Sequence, residues 1–155
     1  MDKKKILRAV VAELEEELRR QLAAQQTAAA GATHAEARAE TKWDTCGLEQ
    51  SYLARGHAKQ FELLARQVEV LRKFVLPDFS GKPIASGALV ETELDGETLL
   101  FFLLECGGGT ELRIDGREIT VITPESPVGA ALTGKRQGDA YSFRAGLAGE
   151  IRRVE

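Results

Sequence analysis

The first half of the chain has no proline between residues 2 and 75, and its apolar residues recur at helical spacing. In one segment they fall on every fourth residue from Ile6 to Leu22, and in another they recur every three or four residues from Phe61 to Val75. Each pattern predicts a helix with one apolar stripe. Two such helices joined by a short break pack most simply as an antiparallel hairpin, a coiled coil.

The break between the two helices has two candidate positions. Gly31 is one, and the better one is Trp43-Asp-Thr-Cys-Gly47, which gathers turn formers and a helix start. A second helix from Gly47 to Phe74 is expected to be about 40 Å long. Between residues 23 and 40 the side chains become small. Because small side chains bury little area, we expect a slender and mobile tip.

From Leu76 onward, prolines and glycines divide the chain into short runs that are typical of strands. Turns are predicted at Asp95-Gly96, at the three glycines 107–109 and at Asp115-Gly116. The predicted strands cover Ile84–Leu94, Thr98–Cys106, Glu118–Ile122, Ala140–Arg144 and Glu150–Val154, and one short helix covers Val128–Leu132.

The predicted fold class is therefore α+β, with two domains. Residues 1–76 form the helical hairpin, whose tip lies near 43–47, and residues 77–155 form a small, mostly antiparallel sheet with one helix.

A run near the C-terminus reads Pro124-Glu-Ser-Pro-Val-Gly-Ala-Ala-Leu-Thr-Gly-Lys135 and continues into Gly138-Asp139. It is similar to the S-P-x-x-x-A-L-x-G-K-x-x-G-D run of the Gre family of bacterial transcription elongation factors. The helical half resembles that family more loosely, through Asp44 and Tyr52-Leu-Ala-Arg55. The resemblance covers nearly the whole chain, and it implies an N-terminal antiparallel coiled coil and an FKBP-like C-terminal globule.

The resemblance implies RNA polymerase as the partner. In that family the globule docks at the mouth of the secondary channel, and the coiled coil reaches towards the active centre. Acids at its tip help the polymerase hold a second Mg²⁺ and a water for cleavage of backtracked RNA. Mg²⁺ prefers oxygen ligands, and two metals stabilise both the attacking and the leaving oxygen. The protein would then be no enzyme alone and would need no cofactor beyond a Mg²⁺ shared with the polymerase.

The tip of the family reads D-x-x-E-N-x-E-Y, whereas this chain reads Asp44-Thr-Cys-Gly-Leu-Glu-Gln-Ser-Tyr52, one residue longer. Asp44 matches the first acid and is the implied Mg²⁺ ligand. The second acid falls on a glycine or a leucine, at positions 47 and 48, and neither side chain can bind a metal. Glu49 could replace it after a shift of one residue, and Glu40 lies one helical turn before Asp44. Equally, such acids could simply stabilise a helix start.

Other residues near the tip also have two interpretations. Trp43 either closes the turn as a hydrophobic staple or stacks on a base. Arg38, Lys42 and Arg55 could contact the 3′ end of the nascent RNA, or they could form solvated faces because acids are interspersed among them.

On the globule, the resemblance implies polymerase contacts at five positions of the matched run: Pro124, Ser126, Pro127, Leu132 and Lys135. The same run fits most of a P-loop pattern. However, Arg136 stands where Ser or Thr would bind Mg²⁺, and the 20 residues after Lys135 are too few for a nucleotide-binding α/β domain.

Composition limits the class of protein. The 155 residues, 43% of them hydrophobic, suffice for one domain or for a small domain with an extended appendage. A net charge of -3 argues against binding nucleic acid through its phosphates alone. No direct sequence-specific DNA binding is expected either. Cys46 and Cys106 form no disulfide framework and no C-x-x-C pair.

With no signal peptide and no long apolar run, we expect a cytoplasmic protein without membrane contact.

Three functions remain open. The first is a cleavage-stimulating elongation factor, and the second is a regulator that occupies the polymerase channel without stimulating cleavage. The altered tip favours binding over cleavage. The third is a peptidyl-prolyl isomerase or chaperone, which needs an aromatic-lined pocket. For such a pocket the globule offers only Phe79, Phe101, Phe102, Tyr141 and Phe143.

Overall fold

The computed structural model describes residues 1–32 and 46–155, and within them the side chains of 1–30 and 55–155. This part of the chain contains three helices and six strands, which confirms the α+β class. In chain order they are α1 (Lys3–Ala32), α2 (Cys46–Lys73), β1 (Leu89–Leu94), β2 (Glu97–Leu103), β3 (Glu111–Ile114), β4 (Arg117–Ile122), α3 (Pro127–Leu132), β5 (Ala140–Arg144) and β6 (Leu147–Val154).

The two long helices follow the predicted pattern. Helix α1 continues through Gly31, so the chain does not break at that glycine, and α2 begins at Cys46, one residue before the predicted start. Of the tip predicted near 43–47, residues 43–45 lie outside the described residues, and residues 46 and 47 belong to α2.

The apolar stripes of both helices are buried at the ends that lie far from the tip in sequence. Ile6 and Val10 are fully buried in α1, as is nearly all of Leu71 in α2. Leu22, further along α1, is 43% exposed. Burial along α1 therefore decreases in the direction in which the side chains become small.

The described residues divide into two compact units. One contains Ala12–Val70, and the other combines Met1–Val11 with Leu71–Glu155. The globular unit is therefore larger than residues 77–155, because it includes the first turns of α1 and the end of α2.

Lys3 is one reason why the start of α1 belongs to the globular unit. Its Nζ donates to the carbonyl oxygens of Pro77 (2.7 Å) and Gly87 (3.3 Å), and it lies 5.0 Å from the centroid of the Phe79 ring. Burial lowers the pKa of Lys3, although the carboxylates of Asp78 and Glu155 oppose this effect. The segment 77–87 is thereby fixed to the helix start.

The sheet has the order β3-β4-β2-β1-β6-β5. The pairs β1–β2, β1–β6, β3–β4 and β5–β6 are antiparallel. Asp95-Gly96 and Asp115-Gly116 join the first two hairpins, and all four residues have positive φ, between 52° and 82°. A two-residue turn with positive φ at both positions is a type I′ turn, which matches the twist of the strands. The turns predicted at Asp95-Gly96 and Asp115-Gly116 are confirmed.

The sheet is mostly antiparallel, as predicted, and it contains one parallel pair. Strand β4 runs parallel to β2, because the β3–β4 hairpin returns it beside β2 in the same direction. No strand is predicted at Glu111–Ile114, where β3 forms. It is four residues long and lies at a sheet edge, where it pairs only with β4. Its alternation of apolar and polar residues is too short to be recognised in the sequence.

The strand boundaries also differ. Strand β1 begins at Leu89 rather than Ile84, because residues 85–88 form a turn in which Ala88 N–H donates to Ala85 O (3.0 Å). Strand β2 ends at Leu103 rather than Cys106, and β6 begins at Leu147 rather than Glu150.

The second half of β2 is buried on both faces. Phe101 and Leu103 join the core cluster that contains Val90 and Ile151, whereas Phe102 and Leu104, on the opposite face, are fully buried outside that cluster. Burial on both faces explains the continuous apolar run at 99–104.

Candidate functional site

The matched run begins with a tight turn between β4 and α3. The backbone carbonyl of Thr123 accepts from Ser126 N–H (3.0 Å) and from Ser126 Oγ (2.7 Å). The same Oγ accepts from Gly129 N–H (3.1 Å), so Ser126 is the N-cap of α3. A hydroxyl is therefore needed at position 126, because one hydroxyl satisfies both the turn and the helix start.

Pro127 follows the cap at the first position of the helix. Proline suits this position because its fixed φ is helical and its missing N–H is not required there. Its side chain is exposed, whereas Pro124 and Ser126 are half-buried. Of the predicted contact residues in the turn, Pro127 offers the most accessible surface.

Leu132 has a different role from the predicted one. Its side chain is fully buried in the core cluster, together with Ile84 and Tyr141. A side chain without exposed surface cannot contact a partner, so this corrects the predicted role of Leu132. It anchors α3 to the sheet and thereby positions the residues before and after it.

After α3 the chain pairs with the segment that follows α2. Gly134 N–H donates to Ile84 O, and Ile84 N–H donates to Lys135 O, each at 2.8 Å. Gly134 has a φ of 81°, a left-handed conformation that glycine adopts at no steric cost and that ends the helix. The backbone of Lys135 is therefore fixed, and its side chain is half-buried.

A second turn completes the matched run. Arg136 N–H donates to Asp139 Oδ2 (2.8 Å), and Asp139 N–H donates to Arg136 O (3.0 Å). The guanidinium of Arg136 also donates to Gly81 O. The sequence alone gave no role to Arg136 or to the Asp139 side chain. The Gly138-Asp139 pair of the matched run was the pattern that could have indicated this turn.

Residues 124–139 thus form one continuous surface segment, which we call the α3 segment. It is anchored by Leu132, capped by Ser126 and closed by the Arg136–Asp139 turn. Of the predicted contact residues in this segment, Pro127 is exposed, whereas Pro124, Ser126 and Lys135 are half-buried.

An open groove of about 650 Å³ runs beside the α3 segment, along Ala131, Lys135 and Tyr141. Of the five aromatic residues considered for an isomerase pocket, Tyr141 alone lines this groove, and it is only 2% exposed. Phe79, Phe101 and Phe102 are buried in the globule. The described residues therefore provide no aromatic-lined pocket at this groove, which counts against the isomerase alternative.

The predicted tip is mostly beyond the described part of the chain. Arg38, Glu40, Lys42, Trp43 and Asp44 lie outside it, and Glu49 lies within α2 without a described side chain. Arg55 is described and is exposed on α2.

Among the described residues, no group of three or more His, Cys, Asp or Glu side chains is placed to hold a metal ion. Within the same residues, no helix combines the length and apolarity needed to cross a membrane.

Comparison with known proteins gives matches among solved structures only, since no family model and no curated protein matches the chain. The crystal structure of GreA factor homolog 1 (Gfh1) of Thermus thermophilus is 21% identical, with a TM-score of 0.39 and coverage of 94% of each chain. That of Thermus aquaticus Gfh1 is 22% identical, with a TM-score of 0.40, covering 95% of this chain and 94% of the other.

The chain is therefore similar, over nearly its whole length, to solved structures of a GreA factor homolog.

Proposed function

We propose that this protein binds RNA polymerase at its secondary channel, with the α3 segment on the docking surface and the helical hairpin directed into the channel. The observation that carries the proposal is the match of residues 124–139 to the Gre family run. The structure adds that these residues form one surface segment, held by Ser126, Leu132 and Asp139.

The length of the helices fits this role. At 1.5 Å per residue, the 30 residues of α1 extend about 45 Å and the 28 residues of α2 about 42 Å. A pair of helices of that length is long enough to carry a few tip side chains into a deep channel. The protein acts on transcription through the polymerase and has no catalytic centre of its own in this proposal.

The test is binding of the purified chain to RNA polymerase. Lys135→Glu reverses a charge on the α3 segment without touching the backbone bonds that Ile84 makes, so the fold should persist. We expect about tenfold weaker binding, which is roughly 1.4 kcal/mol. Lys4→Glu, at an exposed lysine near the start of α1, is the matched control and should bind like the wild type. Equal affinity of wild type and both variants would contradict the proposed docking surface.

A second candidate function concerns what happens after binding. Position 47 is glycine and position 48 is leucine, so the second acid of the family tip is missing at both. This observation favours a regulator that occupies the channel without stimulating RNA cleavage.

Cleavage in backtracked elongation complexes separates the two functions. If the chain stimulates cleavage, Asp44→Ala should abolish the stimulation, since Asp44 would be the carboxylate that helps hold Mg²⁺. If the chain occupies the channel only, it should slow the cleavage produced by an authentic Gre factor, and Asp44→Ala should leave that inhibition unchanged.

A further inference from the structure

The sheet ends at β5, and one edge of this strand has no neighbouring strand. Among the described strands, β5 is the last in the sheet order and pairs only with β6. Ala140 and Ser142 of β5 are exposed and line the open groove of about 650 Å³ beside the α3 segment. An unpaired strand edge that opens into a groove is a template for an additional strand.

The pairing of β5 with β6 determines which of its peptide groups face the groove. Ile151 N–H donates to Asp139 O (2.9 Å), so these two residues form a hydrogen-bonded pair where β5 begins. Ala140 follows and lies opposite Glu150. Because hydrogen-bonded and non-hydrogen-bonded pairs alternate along antiparallel strands, Ala140 occupies a non-hydrogen-bonded position. Its N–H and C=O therefore point away from β6.

The next peptide adds one more outward group. Tyr141 and Gly149 form the following hydrogen-bonded pair, so the Tyr141 C=O points to β6. The Ser142 N–H belongs to the same planar peptide and points the opposite way. The edge thus presents a donor, an acceptor and a second donor, and within the described residues none of the three bonds to another group of the chain.

The length of this edge limits what can pair with it. A register shift between Tyr141 and Arg144 interrupts the regular ladder, so only the first part of β5 is a regular edge. The side chains that surround it are small, since Ala131, Ala140 and Ala148 all line the groove. The site therefore suits a short extended segment.

The charges at the edge determine which segment it suits. Lys135 is the one charged residue among the described residues that line the groove, and Arg144 lies exposed at the end of β5. Neither takes part in an ion pair within the described part of the chain. The two nearest carboxylates along the strands are already bonded, Asp139 to a backbone N–H and Glu150 to Arg152, each at 2.8 Å. The unpaired charge is therefore positive and suits carboxylates.

We propose that the open edge of β5 binds an extended, acidic segment of a partner protein, which adds to the sheet as a short antiparallel strand. The peptide groups of Ala140 and Ser142 hold its main chain, and Lys135 and Arg144 bind its carboxylates. Lys135 also belongs to the α3 segment, but binding at this edge requires no polymerase. Since the partner segment is tested without polymerase, either proposal can fail without the other.

The probe is the blocked peptide acetyl-Glu-Val-Thr-Val-Glu-amide, titrated into the full chain and followed by amide chemical shifts in ¹⁵N-edited NMR spectra. The amides of Ala140 and Ser142 should shift with the peptide concentration, whereas the Tyr141 amide, which points to β6, should shift much less. This alternation distinguishes strand pairing from attraction between charges alone. The same peptide with Lys in place of both Glu residues should bind about tenfold more weakly.

Variants at position 142 test the main-chain part of the site. Ser142→Pro removes a groove-facing N–H that makes no bond to β6, so the Glu peptide should bind about tenfold more weakly. Ser142→Ala keeps that N–H and loses only the hydroxyl, so it is the matched control and should bind the peptide like the wild type.

A double variant tests the charged part. Lys135→Gln combined with Arg144→Gln removes both unpaired cations and leaves the backbone unchanged. It should bind the Glu and Lys peptides equally, since no charge is left to distinguish them. This variant keeps the test valid if proline at position 142 disturbs the strand.

Three results would overturn the proposal. They are the absence of shifts at millimolar peptide, a shift of the Tyr141 amide as large as those of its two neighbours, and equal binding of the Glu and Lys peptides to the wild type. Shifts at the β5 edge that depend on protein concentration without any peptide would show a second copy of the chain as the occupant, and would also overturn it.

Discussion

The Cα of Gly129 lies directly against the backbone carbonyl of Thr123. A β-carbon at position 129 would lie 1.8 Å from that oxygen, far inside any van der Waals contact. The carbonyl is fixed in turn by the N–H and the hydroxyl of Ser126. A glycine at position 129 is therefore required by a close approach of two backbone segments.

Gly129→Ala should destabilise the globule strongly. The clash is with backbone atoms that are themselves hydrogen-bonded, so the turn must move, and we expect a loss of about 3 kcal/mol in the free energy of unfolding. Urea unfolding followed by circular dichroism measures it. Ala130→Gly, at the exposed neighbouring position, should cost only about 1 kcal/mol. A Gly129→Ala chain as stable as that control would contradict the close approach.

Ser126→Ala should remove the N-cap of α3 and the bond to Thr123 O. The expected cost is about 1 kcal/mol in the free energy of unfolding. Ser126→Thr keeps the hydroxyl and should restore most of that loss. If Ala and Thr variants unfold at the same urea concentration, the hydroxyl does not hold the turn.

Thr92 and Tyr141 form a buried polar pair in the core, with Oγ1 and the phenol oxygen 2.9 Å apart. Thr92→Val leaves the phenol hydroxyl buried without this partner, and we expect a loss of about 1–2 kcal/mol. Tyr141→Phe should cost a similar amount. In the double variant both polar groups are gone, so its loss should be smaller than the sum of the two. Additive losses would show that the two oxygens do not interact energetically.

Cys106 should react slowly with alkylating reagents near neutral pH. Burial raises the pKa of its thiol, and the carboxylate of Glu105 raises it further, so the reactive thiolate forms at higher pH than in an unfolded chain. The rate of reaction with iodoacetamide against pH, measured on a Cys46→Ser chain, gives the pKa directly.

Glu105→Gln is the companion variant for Cys106. It should shift the rate profile part of the way towards lower pH, since burial, the larger cause, remains. A folded chain whose profile matches that of the urea-unfolded chain would contradict the raised pKa.

Sequence patterns were sufficient for the elements with strong local signals. The stripes of α1 and α2 have a helical period over many turns, and Asp95-Gly96 and Asp115-Gly116 specify hairpins through their tolerance of positive φ. These features were predicted because each depends on residues close together in sequence.

The missed features depend on contacts between distant residues. Strand β3 is only four residues long, and it exists because β4 pairs with it. The parallel pairing of β2 with β4 has no local signature, and neither does the bonding of Ile84 to Gly134 and Lys135.

The sequence predicted the short helix of the α3 segment, but it did not show that Leu132 is buried. Leu132 is apolar at a helical position, and sequence alone does not show which side of a six-residue helix faces the sheet. The tip acids, Asp44 above all, remain predictions.

The most direct test of the central claim is displacement of a fluorescently labelled Gre cleavage factor from RNA polymerase. If this chain binds at the secondary channel, adding it should release the labelled factor, and Lys135→Glu should need about ten times the concentration for the same release. If the labelled factor stays bound at every concentration of the wild-type chain, this protein does not occupy the secondary channel.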